Sequence, residues 1–176
     1  MRITYERATS SDIERLYLLC RQLIDDYENI ECIDYERVLR WVRQKLETTI
    51  DEYTAVYAEG QKAGYYHFFK NENGEYELDD LYIFPQFQNH GIGSAIIEKC
   101  CRSVNEPVTL YVFIKNGKAV SLYERLGFVI VETVRGSRYI MKMDNRKYYA
   151  AYEERYKTAH ANGVSWSSNV STPIVM

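Results

Sequence analysis

The chain has 176 residues, a formal net charge of −3 and 46% hydrophobic residues, which fits one soluble domain with a proper core. So small a negative charge argues against general binding of nucleic acid or anionic membranes, and no apolar run approaches the roughly 18 residues of a membrane span. The amino terminus lacks the apolar segment of a signal peptide, so we expect a cytoplasmic protein.

Apolar spacing in the first half of the chain predicts a strand, two helices and three further strands. The strand covers residues 3–7, and a Ser11–Glu14 pair then has the form of a capping box for a helix that reaches Tyr27. A second helix follows Asp34, and its predicted inner side carries Val38, Trp41, Val42 and Leu46. The three strands are predicted over residues 53–58, 63–69 and 75–84.

The second half predicts helix, strand, helix and two strands. Their ranges are 91–104, 108–114, 118–126, 128–134 and 138–143. A doubly wound nucleotide fold is excluded, because it would alternate strand and helix throughout. We expect a domain over residues 1–143 and a C-terminal extension over 144–176, partly helical and then irregular.

The cysteines offer no metal chemistry. Cys20, Cys32, Cys100 and Cys101 show neither CxxC spacing nor clustered histidines, so we expect no bound metal. Cys20 and Cys100 fall at apolar helical positions and are predicted to be buried thiols.

The most informative stretch is Asp80 to Lys99, a strand that runs through a short loop and two glycines into an apolar-faced helix. Gly91 and Gly93 allow backbone amides to approach a ligand closely. The amides that open a helix have no intrahelical partner, so a pyrophosphate would fit there. From the glycines alone, an ordinary strand–turn–helix junction is an equally good interpretation.

Two motifs decide between these interpretations. Gln88-Asn-His-Gly91-Ile-Gly93 resembles the Gln/Arg-x-x-Gly-x-Gly/Ala signature of the GNAT acetyltransferase superfamily. Asn116, Ala119, Tyr123 and Gly127-Phe128 are similar to its second signature. The resemblance covers about residues 1–143. It implies a mixed α/β fold with a central, mostly antiparallel sheet of about seven strands flanked by helices, in which strands 4 and 5 splay apart.

The resemblance also implies an acetyl-CoA-dependent N-acetyltransferase that moves an acetyl group to a primary amine by direct attack in a ternary complex. Backbone groups of strand 4 would pair with the pantetheine arm, and the glycine loop would hold the pyrophosphate. The residues implied to bind acetyl-CoA are Ile83, Phe84, Gln88, Asn89, His90, Gly91, Ile92, Gly93, Ser94, Asn116 and Tyr123.

Catalytic roles follow from the same resemblance. Tyr123 matches the family's general acid, although a tyrosine on this helix could simply pack. Glu77 lies eleven residues before Gln88, where a glutamate serves as base in some members; Asp79, Asp80 or a water relay are the alternatives.

Regular alternation along this strand places one set of residues on one face and their neighbours on the other. The first set is Glu77, Asp79, Leu81 and Ile83; the second is Leu78, Asp80, Tyr82 and Phe84.

The acceptor is the open question. The resemblance implies that the first two helices help to shape its site, and there they bring Tyr27, Glu28, Glu31, Asp34 and Tyr35. Acidic and aromatic groups suit a small amine such as a polyamine or an aminoglycoside, though a solvated acidic loop explains them equally well. A protein or peptide acetyltransferase acting on N-termini or lysines is the alternative, and a non-catalytic acyl-CoA-binding or sensing module is the alternative of another class. An exposed strand edge and the aromatic tail make us expect a homodimer.

Overall fold

The computed structural model describes residues 1–145. The helices are α1 (Ile13–Tyr27), α2 (Tyr35–Thr49), α3 (Ile92–Arg102) and α4 (Gly117–Arg125). The strands are β1 (Ile3–Arg7), β2 (Tyr53–Ala58), β3 (Gln61–Lys70), β4 (Tyr76–Ile83), β5 (Val108–Phe113), β6 (Val129–Val134) and β7 (Arg138–Met143). The predicted order of elements is confirmed.

The strands form one seven-stranded sheet in the order β1-β2-β3-β4-β5-β7-β6. All neighbours are antiparallel except β4 and β5, which are parallel. Helices α1 and α2 bury one face of the sheet around Tyr53, Tyr65 and Tyr82, and α3 buries the other around Leu78 and Leu110. The predicted fold class, a mixed sheet between helices, is confirmed.

Two predicted details of the first helices are wrong. The chain enters α1 through Thr9 and Asp12, because the Asp12 carboxylate accepts the backbone N–H of Thr9 at 3.0 Å; Glu14 instead pairs with Arg43 at 2.8 Å. In α2 the buried stripe is Leu39, Val42 and Leu46. Trp41 is adjacent to that stripe and is 60% exposed, since the helical turn carries it towards solvent.

Strand β4 contains a β-bulge that overturns the predicted alternation. Asp80 lies opposite His67 and Leu78 opposite Phe68, so Asp79 is an extra residue with no partner on β3. The extra residue shifts the alternation by one position. Leu78 therefore shares the α3 face with Leu81, Ile83 and their apolar neighbours, while Asp79 and Asp80 both point towards α2.

The last described residue, Asn145, is held by hydrogen bonds to the end of α3 and the loop after it. Asn145 is fully buried, and its Nδ2 donates to the carbonyls of Cys101, Val104 and Glu106 at 2.8–3.1 Å. These bonds tie the end of β7 to the end of α3. The predicted boundary at 143 and nearly all of the predicted extension lie at or beyond the edge of this region. Within residues 1–145, none of the helices is long and apolar enough to cross a membrane.

Candidate active site

The site is organised by a gap between β4 and β5. Their parallel pairing covers only Tyr76 to Leu78 on β4, so the strands part at the bulge. The N–H of Phe84 donates to the carbonyl of Ala63 on β3 at 2.8 Å. Because backbone groups alternate along a strand, the N–H of Ile83 points away from β3 and into the gap.

Both backbone groups of Phe84 already make hydrogen bonds within the protein, which does not favour the predicted contact of this residue with pantetheine. Its N–H is bonded to β3, and its carbonyl accepts the N–H of Phe87 at 2.8 Å. Its side chain is 3% exposed and packs against Tyr65. Of the two residues predicted to pair with pantetheine, Ile83 alone has an N–H directed into the gap.

The loop from Gln88 to Ser94 leads into the N-terminus of α3 through two residues in the left-handed conformation. Asn89 and Gly91 have positive φ values of 62° and 78°, and Gly91 is the N-cap of α3. The first bond inside the helix runs from Ala95 N–H to the Gly91 carbonyl at 3.0 Å. The amides that open α3, from Ile92 onward, therefore lack intrahelical acceptors and can bind an anion.

The side chains of this loop either pack in the core or face solvent. Ile92 is buried in the core, and His90 is exposed, with Nδ1 2.7 Å from the Gln88 carbonyl. A Cβ on Gly93 would lie 3.8 Å from Leu122 and 4.0 Å from Ile83. The first turn of α3 thus meets the end of β4 and α4 at one point.

Tyr123 lies on α4 beside this point. Its ring packs on Phe128 at 5.8 Å. Gly127 follows the Leu126 C-cap of α4, and its φ of 96° is the left-handed conformation that ends many helices. Burial raises the pKa of Tyr123 to about 12, and the nearby Asp80 carboxylate adds to the rise. Because the pKa is raised, the hydroxyl is protonated at neutral pH. Within residues 1–145 no hydrogen bond occupies it, so it is free to donate.

Asn116 caps α4, since its Oδ1 accepts the N–H of Ala119 at 3.2 Å. The alternative to a pantetheine contact, a plain helix-start role, thus has direct structural support. Its Nδ2 remains a donor that could face a ligand.

Glu77 lies near the narrow end of the gap, opposite Thr109 on β5. Burial raises its pKa, while a 3.4 Å hydrogen bond from Asn71 works against that rise. A half-buried carboxylate with one long hydrogen bond and a raised pKa holds a proton more readily than a free glutamate.

Asp79 and Asp80 are instead held in a buried network. Lys45 on α2 contacts both carboxylates. Asp80 also accepts hydrogen bonds from the hydroxyls of Tyr53 at 2.6 Å and Tyr82 at 2.8 Å, and Asp79 lies 3.2 Å from Nδ1 of His67. Although burial opposes it, the hydrogen bond from His67 and the charge of Lys45 lower the pKa of Asp79.

The loop between α1 and α2 covers the wide end of the gap. Tyr27 packs on Phe113 at the end of β5. The Glu28 carboxylate accepts a hydrogen bond from the Ser137 hydroxyl at 3.2 Å and forms an ion pair with Arg138 at 3.5 Å. The other three predicted acceptor residues take different places. Asp34 caps α2, Tyr35 binds Asp25, and Glu31 is exposed.

The prediction of buried thiols is confirmed for Cys20 and Cys100. Burial raises the pKa of each, and of Cys101, to about 12, so these thiols are poor nucleophiles at neutral pH. In the described part of the chain, no group of three or more histidines, cysteines or carboxylates is arranged to hold a metal ion.

Comparison with known proteins identifies this architecture. The family model described as the acetyltransferase (GNAT) family matches residues 12–128, which include both motifs. The chain belongs to the GNAT family. An uncharacterized N-acetyltransferase of Methanocaldococcus jannaschii is 34% identical over 64 residues, a match that covers 34% of this chain and 28% of that protein.

Solved structures share the GNAT fold at lower identity. The PaiA N-acetyltransferase from Thermoplasma acidophilum in complex with coenzyme A gives a TM-score of 0.62 at 22% identity, covering 82% of this chain and 99% of that one. An N-acetyltransferase from Staphylococcus aureus gives 0.62 at 16% identity, covering 80% and 100%. Ard1 from Thermoplasma volcanium gives 0.55 at 19% identity, covering 81% and 97%. At these identities the likeness establishes the fold alone.

Sequence reasoning missed three residues that contact Asp79 and Asp80 in this GNAT fold: Lys45, His67 and Tyr53. The bulge had a signal, because Leu78 and Leu81 are three residues apart, whereas a regular strand facing one core repeats every two. Tyr65, His67 and Phe69 alternate in β3, which marks His67 as a buried position. No pattern in the sequence pointed to Lys45 as the partner of both carboxylates.

Proposed function

We propose that this protein is an acetyl-CoA-dependent N-acetyltransferase that acetylates a primary amine by direct attack in a ternary complex. One observation carries the proposal: the Ile83 amide and the open N-terminus of α3 border the same gap, where β4 leaves β5 after Leu78. A gap with a strand edge on one side suits an extended, amide-containing arm, and a helix N-terminus suits a pyrophosphate.

The residues present fit acetyl-CoA. The Ile83 N–H would pair with the pantetheine arm, the amides of the Gln88–Ser94 loop would hold the pyrophosphate, and Asn116 Nδ2 would add a donor. Bound acetyl-CoA supplies a thioester, whose carbonyl carbon the amine attacks. The Ile83 amide would stabilise the negative charge that develops on the carbonyl oxygen.

Two side chains would handle the protons. Glu77 takes a proton from the attacking amine as the C–N bond forms, and Tyr123 gives its proton to the thiolate as the C–S bond breaks. Glu77 is favoured over Asp79 and Asp80 because those carboxylates are already occupied by Lys45. The high pKa of the three buried thiols supports direct attack over an acetyl-enzyme route.

A small amine is the favoured acceptor. The α1–α2 loop is bound to the start of β7 through Glu28 and Arg138, which narrows the approach to the gap for a folded protein. Glu77 supplies negative charge at the gap, whereas Glu28 is already paired. Acetylation of protein N-termini or lysines stays the alternative, and the cytoplasmic location and the homodimer stay predictions.

The test combines ligand binding with turnover. Thermal unfolding is measured with acetyl-CoA, CoA and NAD, and thiol release is then followed with polyamines, aminoglycosides and peptides. Stabilisation by CoA species together with amine-dependent thiol release supports the proposal. CoA binding without release by any amine would favour the acyl-CoA-sensing alternative, and no CoA binding would refute both.

A further inference from the structure

A lysine and a histidine contact the bulge residue of β4 from two different elements. Lys45 reaches Asp79 and Asp80 from α2, and His67 reaches Asp79 from β3 at 3.2 Å. We call Lys45 and His67 the bulge clamp. The imidazole of His67 is 2% exposed and is stacked between Tyr53 at 4.4 Å and Phe69 at 4.5 Å, so its orientation is restricted.

The clamp and the bulge depend on each other. In a regular strand, Asp79 and Asp80 would point to opposite faces, and one carboxylate would enter the apolar layer between β4 and α3. The bulge places both on the α2 face, where Lys45, His67 and two tyrosine hydroxyls supply their hydrogen bonds. Without these partners, the extra residue would leave a buried carboxylate unsatisfied.

The bulge also lies where the gap begins. The last paired residue of β4 with β5 is Leu78, directly before Asp79. A bulge bends its strand and increases its twist, so removing it would let β4 continue alongside β5. We propose that Lys45 and His67 are positioning residues that hold the bulge at Asp79 and thereby keep the gap open for the pantetheine arm of acetyl-CoA. This inference rests on the proposed function.

The charge of His67 makes the clamp sensitive to pH. The groups that face His67 are Asp79 of β4, Glu52 before β2 at 3.0 Å, Tyr53 of β2, and Lys45 of α2; Glu77 lies close enough to sense its charge. Hydrogen bonds from both ring nitrogens to carboxylates raise the pKa of His67 against the effect of burial. The doubly protonated ring donates on both sides, and that contribution is lost as pH rises through the raised pKa.

The experiment compares Lys45→Met and His67→Gln with Lys62→Met. Lys62 is the matched control, because it also pairs with a buried aspartate, Asp12, but lies away from the gap. Coenzyme A affinity is measured by calorimetry at pH 6 and pH 9, at a temperature where every variant is folded. Hydrogen exchange at the Ile83 amide is followed without ligand.

We expect Lys45→Met to weaken coenzyme A binding at least about tenfold and to slow exchange at Ile83, because a closed gap would pair that amide with β5. Lys45→Arg, which keeps the positive charge, should keep coenzyme A affinity and Ile83 exchange close to those of the unmodified protein. The unmodified protein should bind coenzyme A more weakly at pH 9 than at pH 6. The His67→Gln variant should bind coenzyme A equally well at both pH values. Lys62→Met should lower the melting temperature and leave coenzyme A affinity unchanged.

A purely structural role for the clamp predicts another result. Lys45→Met and His67→Gln would then lower the melting temperature, as Lys62→Met does, with coenzyme A affinity and Ile83 exchange unchanged; that result overturns the inference. If Lys45→Met does not fold, coenzyme A affinity and Ile83 exchange in His67→Gln at pH 6 decide, with the unmodified protein as reference. A parent that binds no coenzyme A would refute the proposed function, and Ile83 exchange would still test the clamp.

Discussion

The side-chain amide of Gln88 donates a hydrogen bond to the backbone carbonyl of Ile83, with an N–O distance of 2.9 Å. This hydrogen bond connects the start of the Gln88–Ser94 loop to the end of β4. Gln88, the first residue of the GNAT motif, therefore links the part of the site that would hold pyrophosphate to the part that would hold pantetheine.

Replacing Gln88 with leucine should raise the KM for acetyl-CoA about two- to tenfold, because a hydrogen bond worth about 0.5–1.5 kcal/mol is lost. The melting temperature should change little, since Gln88 is exposed. Steady-state kinetics test this, with Gln86→Leu as control, because Gln86 is an exposed glutamine in the turn just before the loop. Equal KM values for the two variants would show that the Gln88–Ile83 bond does not position the loop.

Replacing Tyr123 with phenylalanine should lower kcat about 100-fold, the usual contribution of a general acid, with little change in the KM for acetyl-CoA. Tyr139→Phe on β7 is the control for removing a tyrosine hydroxyl. Since the pKa of Tyr123 is raised to about 12, this acid should remain protonated up to about pH 10. An alkaline loss of kcat below that pH that disappears in Tyr123→Phe would contradict the raised pKa.

Replacing Glu77 with glutamine should lower kcat at least about tenfold. The ionised form of Glu77 is the base, and burial raises its pKa, so kcat of the parent should fall as pH falls through that raised value. Glu77→Gln should lack this acidic limb. Glu75→Gln is the matched control, because Glu75 is exposed and pairs with Lys142. An acidic limb that persists in Glu77→Gln would assign the base to another group or to water.

Two substitutions of Gly91 should distinguish a loss of stability caused by backbone strain from a loss of acetyl-CoA binding caused by charge repulsion. A Cβ at this position meets nothing within 4 Å, but φ is +78°, so Gly91→Ala should cost about 1–2 kcal/mol of stability. Gly91→Glu adds a carboxylate beside the anion site and should also abolish acetyl-CoA binding. Calorimetry on both variants, with denaturant unfolding as the stability measure, tests this. Tight binding by Gly91→Glu would place the pyrophosphate elsewhere.

Much of the fold was predictable because its signals are local. The periodicity of apolar residues located every helix and strand of residues 1–143, and the two glycine motifs marked the loop and the helix end that border the gap. The two errors in the first helices have different origins. Trp41 lies outside the buried stripe because of its angle on the turn of α2. The cap of α1 is a local bond from Thr9 to Asp12, and the same Asp12 carboxylate also binds Lys62 and Tyr65, which are distant in the chain.

For the site, the residue types and their order can be read from the chain: three carboxylates in a strand, a glycine loop after it, and a tyrosine on α4. What each of them can do depends on the folded structure. The bulge turned Asp79 and Asp80 to the same face, Lys45 occupied both, and β3 engaged the Phe84 amide. The physical reason is that a buried charge or N–H is assigned by the partner that satisfies it, and here those partners lie up to 35 residues away along the chain.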